Sequence, residues 1–130
     1  MSLVVDTSVI ISVLTNEKSK ANLLKITRGK ELIAPSSLHW EIGNAFSAML
    51  KRNRITSEST KIAMASYSMI PIRFVEVDLS ASLEIVNKYG IYAYDAYFLE
   101  CSRKYNFPLV SLDKSLLNVA EEMNIKIIEV

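Results

Sequence analysis

The chain is short of the residues that most often announce a chemistry. One cysteine among 130 residues, Cys101, excludes an intramolecular disulfide, and Cys101 with one histidine, His39, cannot make the usual nitrogen and sulfur set for zinc. A hydrolytic serine triad is disfavoured on the same ground: His39 is the sole imidazole, and no Gly-x-Ser-x-Gly elbow occurs. Long apolar runs are also missing. Stretches such as Val9–Val13 are far too short to cross a bilayer, and no charged-then-apolar leader precedes them, so a cytoplasmic location is expected. Nor is there a repeat, linker or low-complexity segment.

What is present suits one folded domain. Half the residues are hydrophobic and 22% are charged, which suffices for a core without disulfides or a structural metal, so residues 1–130 are read as a single domain. Cys101, between Leu99 and Tyr105 in a helical pattern, is expected to be a buried, inert thiol. The formal charge of +1 conceals an asymmetry: residues 1–61 hold nine Lys and Arg against five acids, and residues 62–130 hold six against nine. If four acids serve a metal site, the remaining surface is basic by about five charges, enough to attract a polyanion weakly.

Strand and helix patterns alternate along the chain. Strands are expected at Leu3–Val5, Glu31–Ala34, Arg73–Val77, Pro108–Leu112 and Lys126–Val130. Helices are expected at Val9–Leu14, Lys20–Arg28, Pro35 to about Arg52, Ser57–Met69, Leu79–Tyr89, Ala93–Tyr105 and Lys114–Met123. Gly29 and Gly90 read as helix stops and Pro71 as a breaker. Such alternation implies an α/β fold with a mainly parallel sheet covered by helices on both faces.

Four carboxylates stand out against this frame. Ligands of open parallel sheets bind beyond the carboxyl ends of the strands, and two acids sit there. Asp6 follows Leu3-Val4-Val5, and Asp113 follows Leu109-Val110 through Ser111 and Leu112. Each also has the placement of a helix cap, so both readings stay open. Glu41 borders the apolar stripe Leu38, Ile42, Ala45, Phe46 and Met49, and Asp95 precedes Phe98 and Leu99 by three and four residues. Both lean inward, where an unpaired charge costs several kcal/mol. Apart from Lys114, no basic residue lies within four positions of any of the four.

A cation from outside would resolve the conflict. Clustered carboxylates raise one another's pKa, and Mg²⁺ or Mn²⁺, which prefer oxygen ligands, reverses that. Ser8 and Ser111 are placed to orient the acids or a metal-bound water, with helix capping as the alternative. Asn44, one turn after Glu41, is either a substrate contact or an exposed structural residue. Gly43 inside a helix suggests close packing beside the site. His39 is read as a helix-face residue or one supporting the site. Tyr67, Met69, Tyr92, Tyr94 and Tyr97 offer a partner face, with plain core packing favoured.

Four segments resemble, in order and spacing, the acidic motifs of PIN domains: Val4-Val5-Asp6-Thr7-Ser8-Val9-Ile10, Trp40-Glu41-Ile42-Gly43-Asn44-Ala45, Tyr94-Asp95-Ala96-Tyr97-Phe98-Leu99 and Ser111-Leu112-Asp113-Lys114-Ser115-Leu116. The likeness is greatest to VapC-type toxins and covers essentially the whole chain. It implies a sheet of about five strands and a Mg²⁺- or Mn²⁺-dependent endoribonuclease. Asp6, Glu41, Asp95 and Asp113 would gather around one or two metals, usually in a homodimer, with an antitoxin blocking the site. On that reading, Lys51, Arg52 and Arg54 after the Glu41 helix become candidates for RNA phosphate contacts. An RNA-processing nuclease without an antitoxin, or a PIN module that binds RNA or protein without cutting, would carry the same motifs.

Two other acid-and-magnesium classes fit less well. Phospho-accepting regulatory domains need paired acids at the first strand's end and a lysine ending a late strand. Haloacid-dehalogenase-like phosphatases need a second Asp two positions after the first, which Asp6-Thr7-Ser8 lacks.

Overall fold

In the computed structural model, which describes residues 1–130, Leu3, Val4 and Val5 have no exposed surface. Successive strand side chains point to opposite faces, so burial of three in a row requires cover on both sides of the sheet. These residues form β1 (Ser2–Val5). It is the middle of five parallel strands in the order β3-β2-β1-β4-β5, with β2 at Glu31–Pro35, β3 at Ile72–Val75, β4 at Leu109–Val110 and β5 at Ile127–Ile128. The α/β class expected from the alternation, with its parallel sheet, is what the chain adopts.

Parallel neighbours need crossovers, and each is helical. β1 reaches β2 through α1 (Thr7–Leu14) and α2 (Lys20–Thr27), and β2 reaches β3 through α3 (Ser37–Lys51) and α4 (Ser57–Met69). The chain returns to β4 through α5 (Leu79–Tyr89) and α6 (Ala93–Tyr105), then reaches β5 through α7 (Lys114–Glu122). Right-handed crossovers running in opposite directions put the first four helices on one face and the last three on the other. From its face α6 packs across β1, β2 and β4, burying Ala96, Phe98, Leu99 and Cys101.

Several ends differ from expectation for reasons of pairing. β3 stops at Val75 because its partner β2 ends at Pro35, leaving Glu76 and Val77 without a ladder. β4 and β5 shrink to two residues each because only Leu109 and Val110 are paired on both sides. Pro35 closes β2 instead of opening α3, which starts at Ser37. In a chain with three glycines, asparagine supplies many of the left-handed turns: Asn16, Asn53, Asn106 and Asn124 all have φ between 55° and 59°.

The strand order reverses direction at β1, since β2 lies on one side and β4 on the other. That switch point lies beyond the carboxyl ends of β1 and β4, where doubly wound sheets bind ligands.

Candidate active site

Register alone brings the first two acids' surroundings together. Val5 is level with Val110, so Asp6 and Ser111 follow side by side where the ladder ends. Ser111 Oγ donates to Asp6 Oδ2 at 2.5 Å, while Ser8 Oγ and Val9 N donate to Oδ1 at 2.6 and 3.2 Å. The serines are anchored in turn, Ser8 Oγ accepting from Leu112 N at 3.0 Å and Ser111 Oγ from Asp113 N at 2.9 Å. Asp113 Oδ1 accepts from Ser115 N and Leu116 N at 2.9 and 3.3 Å. Asp6 and Asp113 are therefore helix caps, of α1 and α7, and both also lie at the switch point.

Asp6 is only 5% exposed. Burial raises its carboxyl above the ordinary range, the hydrogen bonds from Ser111, Ser8 and Val9 oppose the rise, and Asp113 adds to it. Glu41 stands in the second turn of α3, where Thr7 Oγ1 donates to its Oε1 at 3.0 Å. Its Oε2 is buried with no partner. Burial pushes this carboxyl up to about 7, against the Thr7 and Ser37 hydroxyls and with further repulsion from Asp95 and Asp6. The Ser37 hydroxyl acts on the Glu41 carboxyl, although its Oγ lies outside ideal hydrogen-bond geometry. Asp95, in the first turn of α6 and partly buried, is raised by burial and then by Asp113.

The four acids thus lie in one shared field although they come from four separate motifs. No lysine or arginine answers them: the two ion pairs of the chain, Arg73 with Glu31 and Arg103 with Glu100, lie elsewhere. Glu100 is a fifth inward-facing acid, 1% exposed, whose charge is met by the two-pronged Arg103 guanidinium at 2.5 and 2.7 Å. The contrast marks out the four acids, which have no such partner.

Their donor chemistry fits a hydrated oxygen-seeking cation. The unmet Glu41 Oε2 and the rise of three carboxyls, driven first by burial and then by neighbouring acids, are what such an ion would relieve. No three His, Cys, Asp or Glu side chains converge into a ready-made cage. His39 takes no part. Its Nδ1 lies 3.2 Å from the Tyr67 hydroxyl, and its ring sits among Trp40, Tyr67 and Phe74.

Other expected residues stand apart. Asn44 is exposed and outside the hydrogen-bond network. Gly43 is exposed too, and a Cβ there would meet nothing within 4 Å, so the close packing expected of it is absent. Lys51, Arg52 and Arg54 lie at or beyond the far end of α3, at least about 15 Å along its axis from Glu41 at 1.5 Å per residue. Tyr92 and Tyr94, expected in the core, are 85% and 45% exposed. Thr7 and Ser37 were not anticipated. Thr7 lay inside the Asp6 motif, and Ser37 precedes Glu41 by one helical turn.

The PIN-domain sequence profile matches residues 3–122. The chain belongs to the PIN-domain family. PIN domains are generally nucleases. Solved structures agree in fold. PAE2754 of Pyrobaculum aerophilum is 20% identical with a TM-score of 0.70, over 100% of this chain and 92% of its own. VapBC2 of Rickettsia felis, bound to a promoter DNA fragment, is 11% identical with a TM-score of 0.68, over 99% and 98%. VapC20 of Mycobacterium tuberculosis, described as a sarcin-ricin loop cleaving toxin, is 13% identical with a TM-score of 0.65, over 89% and 93%. No curated protein matches the sequence. At these identities the structural likeness speaks for the PIN fold, and the chemistry of this PIN domain has to be argued from its own residues.

Proposed function

We propose that this PIN domain is a Mg²⁺- or Mn²⁺-dependent endoribonuclease that hydrolyses RNA phosphodiester bonds as the toxin of a toxin–antitoxin pair. The observation that carries the reading is a set of four acids at the switch point, three with raised pKa and none with a cation of the protein's own. Asp6, Asp95 and Asp113 would hold the metal, directly or through water. An ion bound there would lower the pKa of its water and neutralise charge on the scissile phosphate.

The chain's own groups then have separable tasks. Ser8 and Ser111 fix both oxygens of Asp6, so the carboxylate is oriented before any ligand arrives. Thr7 holds one oxygen of Glu41 and leaves Oε2 unpaired. With its carboxyl near 7, Glu41 can orient the attacking water and take its proton, or ligate a second ion. No side-chain nucleophile is needed.

The RNA substrate is supported by family membership and by the described action of VapC20. An antitoxin partner is supported by the relatives solved as VapBC and FitAB assemblies. A candidate seat for it is a groove of about 500 Å³ among α1, α3 and α4, lined by apolar Val13, Met49, Ile55 and Ile62 and by polar residues that include Asn16, Lys20 and Arg54. In the test, RNA cleavage depends on Mg²⁺ or Mn²⁺, stops with chelator, and falls to background in Asp6→Asn and Asp95→Asn. Full activity in either folded variant refutes the site. Metal binding without cleavage of any RNA favours the non-catalytic module, and a neighbouring reading frame for a small DNA-binding protein distinguishes the toxin from a processing nuclease.

A further inference from the structure

The uneven charge along the chain becomes an uneven surface once it folds. The crossovers of the α1–α4 face, residues 7–30 and 36–71, hold nine Lys and Arg against three acids, Glu41 included. Those of the α5–α7 face, residues 76–108 and 111–126, hold five against eight. Both ion pairs of the chain use other arginines, Arg73 and Arg103, so none of the nine is met by a carboxylate. The fold gathers part of this charge in one place. α1 is capped by Asp6, α3 carries Glu41 in its second turn, and the two helices pack together as they leave the acids. At 1.5 Å per residue, α1 runs about 12 Å to Leu14 and α3 about 15 Å from Glu41 to Lys51. Beyond those ends, Lys20 at the start of α2 and Arg54 after α3 line a single groove. The Lys20 ammonium donates to Asn16 Oδ1 at 2.6 Å, and Asn16 lines the same groove, so the charge stands at its mouth without being cancelled. Residues 16–20 and 51–61, which meet there, hold six Lys and Arg against Glu17 and Glu58.

We propose that this cationic end of the α1–α4 face is a second RNA contact, a phosphate-binding surface roughly 12–15 Å from the acids that holds the strand away from the cut. The assignment rests on the ribonuclease reading above and deepens it: the substrate is an RNA long enough to reach both places, about four stacked nucleotides at about 3.4 Å each. Four acids at the cutting site repel a polyanion until a cation is bound, and the α5–α7 face adds to the repulsion. Attraction for the strand therefore comes from the α1–α4 face. Lysines and arginines without carboxylate partners are the groups from which sequence-independent backbone binding is built, through release of counterions from the nucleic acid. Lys20 and Arg54 also border the candidate antitoxin seat, so a partner seated there would displace the strand.

The binding arm of the test needs no cleavage. Wild type, the double variant Lys20→Gln with Arg54→Gln, and a control from the opposite face, Lys88→Gln with Lys126→Gln, are titrated in chelator with a labelled single-stranded RNA of about 20 nucleotides, by anisotropy over a range of salt. Each lost phosphate contact should make the dependence of log Kd on log salt shallower by about 0.7, so the first variant should lose about 1.4, or about 25-fold in affinity at about 0.1 M salt. The control should bind as wild type does. The cleavage arm, with Mg²⁺ or Mn²⁺, maps the cut in the long RNA and compares it with the same site trimmed to about two nucleotides on either side. Trimming should raise the wild-type KM about 25-fold. In the Lys20 and Arg54 variant KM on the long RNA should already be raised as far, with kcat changed less than about threefold, and trimming should add nothing. Equal salt slopes and affinities in the folded variant and wild type overturn the surface. So does an effect of the variant on oligomeric state alone, which would make it a protein contact. A wild type that binds with the expected slope but cuts no RNA removes the ribonuclease reading and upholds the surface, while one that cuts RNA and shows no such slope does the reverse.

Discussion

The acid cluster should make the metal-free protein less stable as pH rises from 5 to 8. Glu41 carries the measurable part. Its carboxyl rises from an ordinary 4.5 to about 7 on folding, so the folded chain binds that proton more tightly than the unfolded chain. Stability is therefore fullest at and below the ordinary carboxylate range and drains away as pH climbs toward 7. A rise of that size corresponds to about 3 kcal/mol at most. Because Glu41 keeps some contact with solvent, screening reduces the expected loss to about 1–2 kcal/mol. Asp6 and Asp95 are raised too and act in the same direction. For a domain of this size about 1 kcal/mol corresponds to roughly 3–5 °C, so Tm in chelator should fall by about 3–10 °C between pH 5 and 8. Mg²⁺ or Mn²⁺ at pH 8 should recover it by mass action. Glu41→Gln should remove most of the slope. Calorimetric melts of both proteins decide the matter: a wild-type Tm that is flat or rises across this window, or a Glu41→Gln variant with the same fall, refutes the reasoning.

Three further outcomes follow from the geometry. Ser111→Ala takes a 2.5 Å donor from the buried Asp6 and should cost about 1.5–3 kcal/mol; Mn²⁺ affinity by calorimetric titration should fall about 10- to 100-fold, and unchanged affinity counts against Ser111 as a support of the site. The Cys101 thiol is fully buried and pushed up to about 12 by burial and by Glu100, so it should resist a disulfide reagent at pH 8 in the native protein and react at once in urea; rapid native labelling contradicts the packing of α6. Gly90 ends α5 at φ +65°, so Gly90→Ala should lower stability by about 1–2 kcal/mol, read as an earlier urea midpoint at constant m, while Gly90→Asn should lose less.

How much of this was legible beforehand differs by residue. Leu3–Val5 announced a strand buried on both faces because three apolar, mostly β-branched residues in a row have no polar side to turn outward. Glu41 and Asp95 announced an unmet charge because helical periodicity, a local property, set them against apolar neighbours. Asp6 and Asp113 could not be settled in that way, since a cap and a strand-end ligand leave the same trace in the sequence. Their shared field with Glu41 and Asp95 depends on β4 lying next to β1, a pairing across more than a hundred residues.

Short-range inference also misplaced some residues. Tyr92 and Tyr94 have the apolar bulk of core residues, yet the first turn of α6 projects from the carboxyl edge of the sheet, where nothing covers them. Gly43 suggested a close approach that no neighbouring element makes. Lys51, Arg52 and Arg54 follow the Glu41 helix in sequence but stand three turns away in space, because a helix carries its two ends apart.

By itself, then, the sequence determined the order and type of the elements and named the four acids, because hydrophobic period, caps and stops act within a few residues. Only the tertiary structure decided that the acids share one field, which oxygens Thr7, Ser8 and Ser111 hold, and that Glu41 Oε2 is left unpaired. Those facts depend on strand order and register, which arise from pairings between distant segments and leave no local mark.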